Sequence, residues 1–318
     1  MQTFIVTGAT SGLGLAIIKQ LAKNPDHHVV LAVRDTSAAN RLVSELEFNL
    51  GFRNLEVRQL DLCSIDSIVH FIEHWHGPVA GLVNNAGIQI TGPTRYIGST
   101  DIEETFFVNY LGALALTLGL LPHFAGSRVL FIGSGTHNPH NITANLFGFR
   151  GAQFSSVMGS ARGISEINSL KQLGMDRYAT AKLLLKVITQ ELAEIVAPSQ
   201  AQFFCLDPGL MPGTGLARSA SRVERFLWCH LLPLVAPLLP DTSTVSRSAL
   251  AAHWLMTETH INQPNGTIFD FTRRPSQRVW DHVYTLKKEG RVLAESIDLL
   301  NEVVSLNLYE RVWGYQLN

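Results

Sequence analysis

Within "DRYATAKLLLK" (Asp176–Lys186), Tyr178 stands four residues before Lys182. The chain has six tyrosines and seven lysines among 318 residues, so a chance pair at this spacing is expected well under once. On a helix, positions i and i+4 share a face, and both side chains project together. A phenol with its ordinary pKa of about 10 exchanges protons poorly at neutral pH, and a nearby ammonium stabilises the phenolate and lowers that value. The pair reads as a general acid and base, the plainer alternative being an amphipathic tyrosine beside a surface lysine.

A second chemistry-bearing stretch is "TGATSGLG" (Thr7–Gly14), which closes an apolar strand-like run and opens a helix-period one. Gly8 permits a tight turn, Gly12 lets the backbone approach a pyrophosphate, Gly14 lets helix and strand pack closely, and the helix N-terminus favours phosphate charge. The spacing differs by one residue from the common G-x-G-x-x-G, but its place at the start of a βαβ unit points to a dinucleotide. The end of the second strand, "VVLAVRD", selects which one. An acidic residue that would hold a bare ribose is replaced by Val33, and the Arg34 guanidinium can fork onto a 2′-phosphate. That predicts NADP(H), with a surface arginine paired to Asp35 as the alternative.

These residues need elements to position them. Short β-rich runs alternate with helix-period stretches: "TFIVTG", a helix over about 12–23, "HVVLAV", a helix over 36–50, "LEVRQLDL", a helix over 65–76 and "AGLVNNAG". The second half continues with a helix across "IEETFFVNYLGALALTLGLLP", the strand "RVLFIGS", a helix over 178–196 and the strand "AQFFCLD". This alternation predicts an α/β fold with a doubly wound parallel sheet of six or seven strands. Residues 135–177, polar and rich in Gly and Ser, and residues 210–241 are too long for ordinary connections. Both follow strands at the carboxyl edge, where such sheets bind ligands, and are read as walls and lid of a substrate pocket. Residues 275–318 read as helices without recognisable chemistry, and no linker divides residues 1–318 into domains.

Composition excludes several classes. The chain is 46% hydrophobic and 16% charged, with net charge −1, so it can bury a large core and carries no footprint for nucleic acid. Cys63, Cys205 and Cys229 lie far apart, which argues against disulfides and structural zinc and for a reducing compartment. The N-terminus shows no signal-peptide pattern, and the most apolar run, "FLWCHLLPLVAPLL" (226–239), is shorter than the roughly 20 residues a membrane span needs. A cytoplasmic location without a transmembrane segment is expected. That apolar run has three candidate places: a membrane surface, which would make the association peripheral, the substrate, or a subunit contact. His137, His140 and "EHWH" (73–76) lack a third ligand and read as loop or surface residues, so no metal is expected, although His137 could touch a substrate.

Taken in order, "TGATSGLG", Asp61–Leu62, "NNAG" (84–87), Asn109 in "FVNYLG", Ser134 in "RVLFIGSG", "YATAK" and "DPGLMPGTG" resemble the short-chain dehydrogenase/reductase family over about residues 3–270. The resemblance implies a single Rossmann-type domain, a nicotinamide cofactor and a catalytic tetrad of Asn109, Ser134, Tyr178 and Lys182. It implies cofactor contacts from Gly8, Thr10, Ser11, Gly12, Leu13, Gly14, Arg34, Asp61, Leu62, Asn85, Ala86, Gly87, Tyr178, Lys182, Pro208, Gly209 and Thr214. The stretch from Ser134 to Tyr178 is longer than in most members. Similar expansions occur in relatives resembling retinol dehydrogenases, WW-domain oxidoreductases and protochlorophyllide reductases, which favours a bulky, apolar carbonyl or alcohol as substrate. Members commonly form homodimers or homotetramers through the helices that carry "NYLGALALT" and the Tyr–Lys pair. Alternatives are reduction of an activated C=C bond, epimerisation, or NADP binding without turnover in a sensor or scaffold.

Overall fold

A computed structural model describes residues 1–163, 167–212, 239, 241–308 and 312. Seven parallel strands form one sheet: β1 (Gln2–Thr7), β2 (His27–Val33), β3 (Leu55–Gln59), β4 (Val79–Asn84), β5 (Phe124–Ile132), β6 (Ala201–Asp207) and β7 (Ile268–Asp270). Their order is β3-β2-β1-β4-β5-β6-β7, so the winding reverses between β1 and β4, where open α/β sheets place their ligand crevice. This is the doubly wound fold that the alternation predicts.

A parallel sheet covered on both faces needs apolar side chains on both, and these strands supply them. Ile5, Val30 and Leu82 join one core cluster, while their neighbours Phe4, Val6, Val29, Leu31 and Val83 join the other. Helices α1 (Gly12–Leu21) and α2 (Thr36–Leu50) supply the second cluster, and α3 (Ile65–Glu73) the first. Asp35 and Ser64 cap α2 and α3 through Ala38 N and Ser67 N.

The helix after β4 differs from a plain α-helix. A short turn, α4 (Glu104–Phe106), passes into a π turn over Phe107–Leu111 and then into α5 (Gly112–Leu120). By length and composition this helix could cross a membrane, but 94% of its most apolar window is buried in the fold. The 135–177 region contains α6 (Ile142–Leu146), α7 (Val157–Ala161) and the first two turns of α8 (Leu170–Ile195). Thus α8 starts eight residues before Tyr178, capped by Ser169, and Tyr178 sits inside the helix rather than at its start. Gly174 permits this, because a Cβ there would stand 1.9 Å from the Ile90 carbonyl.

Beyond α9 (Val245–Thr257) and β7, the C-terminal region forms α10 (His282–Glu289) and α11 (Val292–Val303), both packed on α8. Tyr110 in the π turn hydrogen-bonds Ser296 of α11 at 2.7 Å, and Glu191 of α8 accepts from Leu293 N at the start of α11. Every residue of α5 is buried within the chain. A subunit contact through α5, as the resemblance implies, has no exposed face of that helix to use. Most of the 210–241 region, including Thr214 and all but the last residue of the apolar run 226–239, lies outside the described residues.

Candidate active site

Ser134 follows the end of β5 in extended backbone and caps a short 3-10 turn over Gly135–His137. Its Oγ accepts from Thr136 N at 3.3 Å and Thr136 Oγ1 at 3.1 Å, and it shares a hydrogen bond with Tyr178. Lys182 Nζ lies 5.6 Å from the Tyr178 ring centroid and donates to the Ile132 carbonyl at 2.7 Å. Sequence spacing places Tyr178 and Lys182 on one face, and the fold brings Ser134 to them.

Asn109 occupies the π turn, a helix irregularity often found at functional sites. Its Nδ2 donates to the carbonyls of Ile88 at 2.6 Å and Thr105 at 2.7 Å, while its buried Oδ1 has no hydrogen-bond partner among the described residues. That oxygen stands 2.5 Å from where a Cβ on Gly87 would be, and Lys182 Nζ is 3.9 Å from the same point. Gly87 therefore keeps open the space between Asn109 and Lys182. All four predicted catalytic side chains converge on one place, two of them on one helix.

Charge states follow from burial. Desolvation pushes the Tyr178 phenol up to about 12, against the lowering effect of Ser134 and with a further rise from Asp207. Desolvation pulls Lys182 down to about 8. The lysine was expected to lower the tyrosine's pKa. Burial of the phenol raises it instead, the opposing effect coming from Ser134, and Tyr178 stands as the protonated acid.

The opposite half of the carboxyl edge fits a dinucleotide. Gly8 and Gly12 have φ of +63° and +55°, the left-handed region that suits glycine. A Cβ on Gly14 would lie 2.4 Å from the Gly8 carbonyl oxygen, whereas one on Gly12 would meet nothing within 4 Å. Gly14 thus serves close packing, and Gly12 faces open space where a pyrophosphate could lie against the start of α1. The loop is tied to β4: Thr7 Oγ1 accepts from Asn85 N at 3.0 Å and Ala86 N at 2.9 Å, and Asn85 Nδ2 donates to Thr7 O at 2.8 Å.

Thr10 and Ser11 are exposed at the loop tip, but Leu13 and Leu62 are buried in the core, so only their backbones could face a cofactor. Arg34 is exposed at the end of β2 and forms no ion pair among the described residues, because Asp35 caps α2 instead. Asp61 Oδ1 accepts from Cys63 N at 2.9 Å, a strand-end turn that engages one carboxylate oxygen. At the end of β6, Gly209 has φ of +74°, and Pro208 O accepts from Ser248 Oγ at 2.6 Å.

His137 departs from its surface reading. It is fully buried, its Nδ1 donates to Ser134 O at 2.9 Å, and its Nε2 accepts from Trp280 N at 3.3 Å. Burial holds its pKa well below the ordinary histidine value. Two residues at this site were not singled out from sequence, Lys186 and Asp207, which form a buried ion pair at 2.5 Å. The available signal was a second lysine, four residues after Lys182, inside the apolar run "LLLK".

The profile of the short chain dehydrogenase family matches residues 2–146. A dehydrogenase/reductase SDR family member named FEY from Arabidopsis thaliana is 29% identical over 236 residues, 71% of this chain and 58% of that one. Human retinol dehydrogenase 8 is 28% identical over 214 residues, 65% of this chain and 66% of that one. The chain thus spans less than two thirds of the length of these curated relatives. Among solved structures, a blue fluorescent protein from a metagenomic library, in complex with NADPH, superposes with a TM-score of 0.58 at 22% identity, covering 85% of this chain and 95% of that one.

Proposed function

The chain belongs to the short-chain dehydrogenase/reductase family of oxidoreductases, and from that premise we propose that it is an NADP(H)-dependent carbonyl reductase, or the same enzyme run in reverse as an alcohol dehydrogenase. The observation that carries this reading is the convergence of Ser134, Tyr178 and Lys182 beside the unpartnered Asn109 oxygen, at the edge where the glycine loop opens.

The loop from Gly8 to Gly14 and the start of α1 would hold the pyrophosphate, Arg34 the 2′-phosphate, and Asp61 the adenine end. A bound nicotinamide supplies or accepts a hydride at the substrate carbon. Ser134 and Tyr178 bind the carbonyl oxygen, and the protonated phenol at about 12 gives its hydrogen to the oxygen as negative charge grows there. The Lys182 ammonium stabilises the resulting phenolate and lies where it can bind the cofactor ribose. Asn109 Oδ1 faces a gap towards Lys182 suited to a water that returns the proton.

A bulky, mainly hydrophobic substrate is supported by the 135–177 region, which sets the Phe149 ring 6.2 Å from that of Tyr178. One relative is named for retinol, a long apolar alcohol. The test is oxidation of NADPH and NADH against aromatic, long-chain and polycyclic aldehydes and ketones, with product analysis. A new alcohol formed with NADPH sustains the reading. A saturated C=C bond would move the chemistry to activated alkenes, and tight NADPH binding without turnover would make the chain a sensor.

A further inference from the structure

Two lysines reach the end of β5 from one face of α8. Lys182 takes the Ile132 carbonyl, and Lys186, one turn later, takes that of Ser134 at 3.2 Å as well as Asp207 Oδ1 at 2.5 Å. On its other side the Ser134 carbonyl accepts from His137 Nδ1 at 2.9 Å, and the His137 ring is fixed by Trp280 N at its far nitrogen. A carbonyl oxygen has two lone pairs, and both are engaged. Ser134 lies past the last ladder bond on this edge, from Gly133 N to Leu206 O. Its placement therefore depends on these side chains. The space for them is specific: a Cβ on Gly133 would stand 2.6 Å from Asp207 Oδ1 and 2.8 Å from Lys186 Nζ.

A buried ion pair is weak evidence of stabilisation, since apolar residues of similar volume often do as well. Lys186 is fully buried, and its ammonium spans two acceptors, one just past the end of β5 and one at the end of β6. We propose that Lys186, held by Asp207, is a positioning residue: with His137 it clamps the Ser134 carbonyl and so sets the Ser134 hydroxyl against Tyr178, where a substrate oxygen binds. This rests on the reading of Ser134 and Tyr178 as the pair that binds that oxygen. Neither Lys186 nor Asp207 touches substrate in this role.

The test is steady-state kinetics of the full chain with its best carbonyl substrate, alongside NADPH affinity and melting temperature. Lys186→Met is expected to lower kcat by about tenfold to a hundredfold, the scale of a displacement of around 1 Å, with NADPH affinity unchanged. Because this variant leaves the Asp207 charge buried and unpaired, which destabilises the fold, Lys186→Met with Asp207→Leu removes both charges. The proposal expects that double variant to regain the melting temperature but not kcat. Recovery of both would overturn it and leave the pair purely structural. In a Ser134→Ala background, Lys186→Met should cause little further loss, and an undiminished loss there would overturn the proposal as well. If Ser134→Ala or Tyr178→Phe keeps wild-type turnover, it is the catalytic reading that falls, a result distinct from either outcome for Lys186.

Discussion

The carboxyl edge of the sheet is built in two ways. From β1 to β3 it is open: Arg34 and Thr10 are exposed, a Cβ on Gly12 would meet nothing, and Asp61 keeps one oxygen clear of its turn. From β4 to β6 it is closed: Tyr178, Lys182, Lys186, Asn109 and His137 are all buried, and nearly every polar atom has a partner inside the chain. A half that binds a charged ligand must leave donors for it, whereas a half that moves a proton must hold its groups in place beforehand. Among the described residues of the closed half, Asn84 Oδ1, Thr105 Oγ1 and Asn109 Oδ1 are buried without a partner, and the Asn109 oxygen faces the gap towards Lys182.

Substitutions at the two halves should separate. Tyr178→Phe is expected to lower kcat on the order of 10³-fold with NADPH affinity nearly unchanged, measured by turnover and by cofactor fluorescence titration. Arg34→Glu should weaken NADPH binding by about tenfold to a hundredfold while sparing NADH, the scale of one lost charge-assisted contact. Gly14→Ala should cost about 2 kcal/mol of stability in denaturant unfolding, since its methyl meets the Gly8 carbonyl. Gly12→Ala should instead leave most of the stability and lose cofactor affinity, because its methyl enters the open space. Equal effects at the two glycines would erase the distinction between packing and ligand space.

The reductive rate should be flat at lower pH and fall as pH rises through about 8, where Lys182 loses its proton, while Tyr178 at about 12 stays protonated. A rate that instead falls on acidification would assign the titration to another group. The smallest effect is outside both halves: Asp35→Ala should cost about 1 kcal/mol by removing the α2 cap, with NADPH affinity unchanged if Arg34 acts alone.

Residues whose type is dictated by chemistry or backbone were legible in the sequence. The glycines at 8, 12 and 14, the Tyr178–Lys182 spacing and the strand-end Ser134 each answer a local requirement. Features set by distant contacts were not. Gly174 reads as a loop residue, but it is a glycine because α8 crosses the Ile90 carbonyl. His137 reads as surface, and its burial depends on Trp280, 143 positions away. Strand β7 is three residues long and exists by pairing with β6. Spacing reveals the ammonium beside Tyr178 but not the depth of burial that raises the phenol's pKa.

The C-terminal helices carry a consequence for how the chain is made. Val283, Leu286, Leu293, Ile297 and Leu300 of α10 and α11 belong to the same core cluster as Leu183, Leu184 and Leu185 of α8, yet α8 leaves the ribosome about a hundred residues earlier. During that interval its apolar side chains have no final cover, and a nascent chain in this state is a client for chaperones. The helices that finish the core are synthesised after all seven strands, so α8 is sealed last.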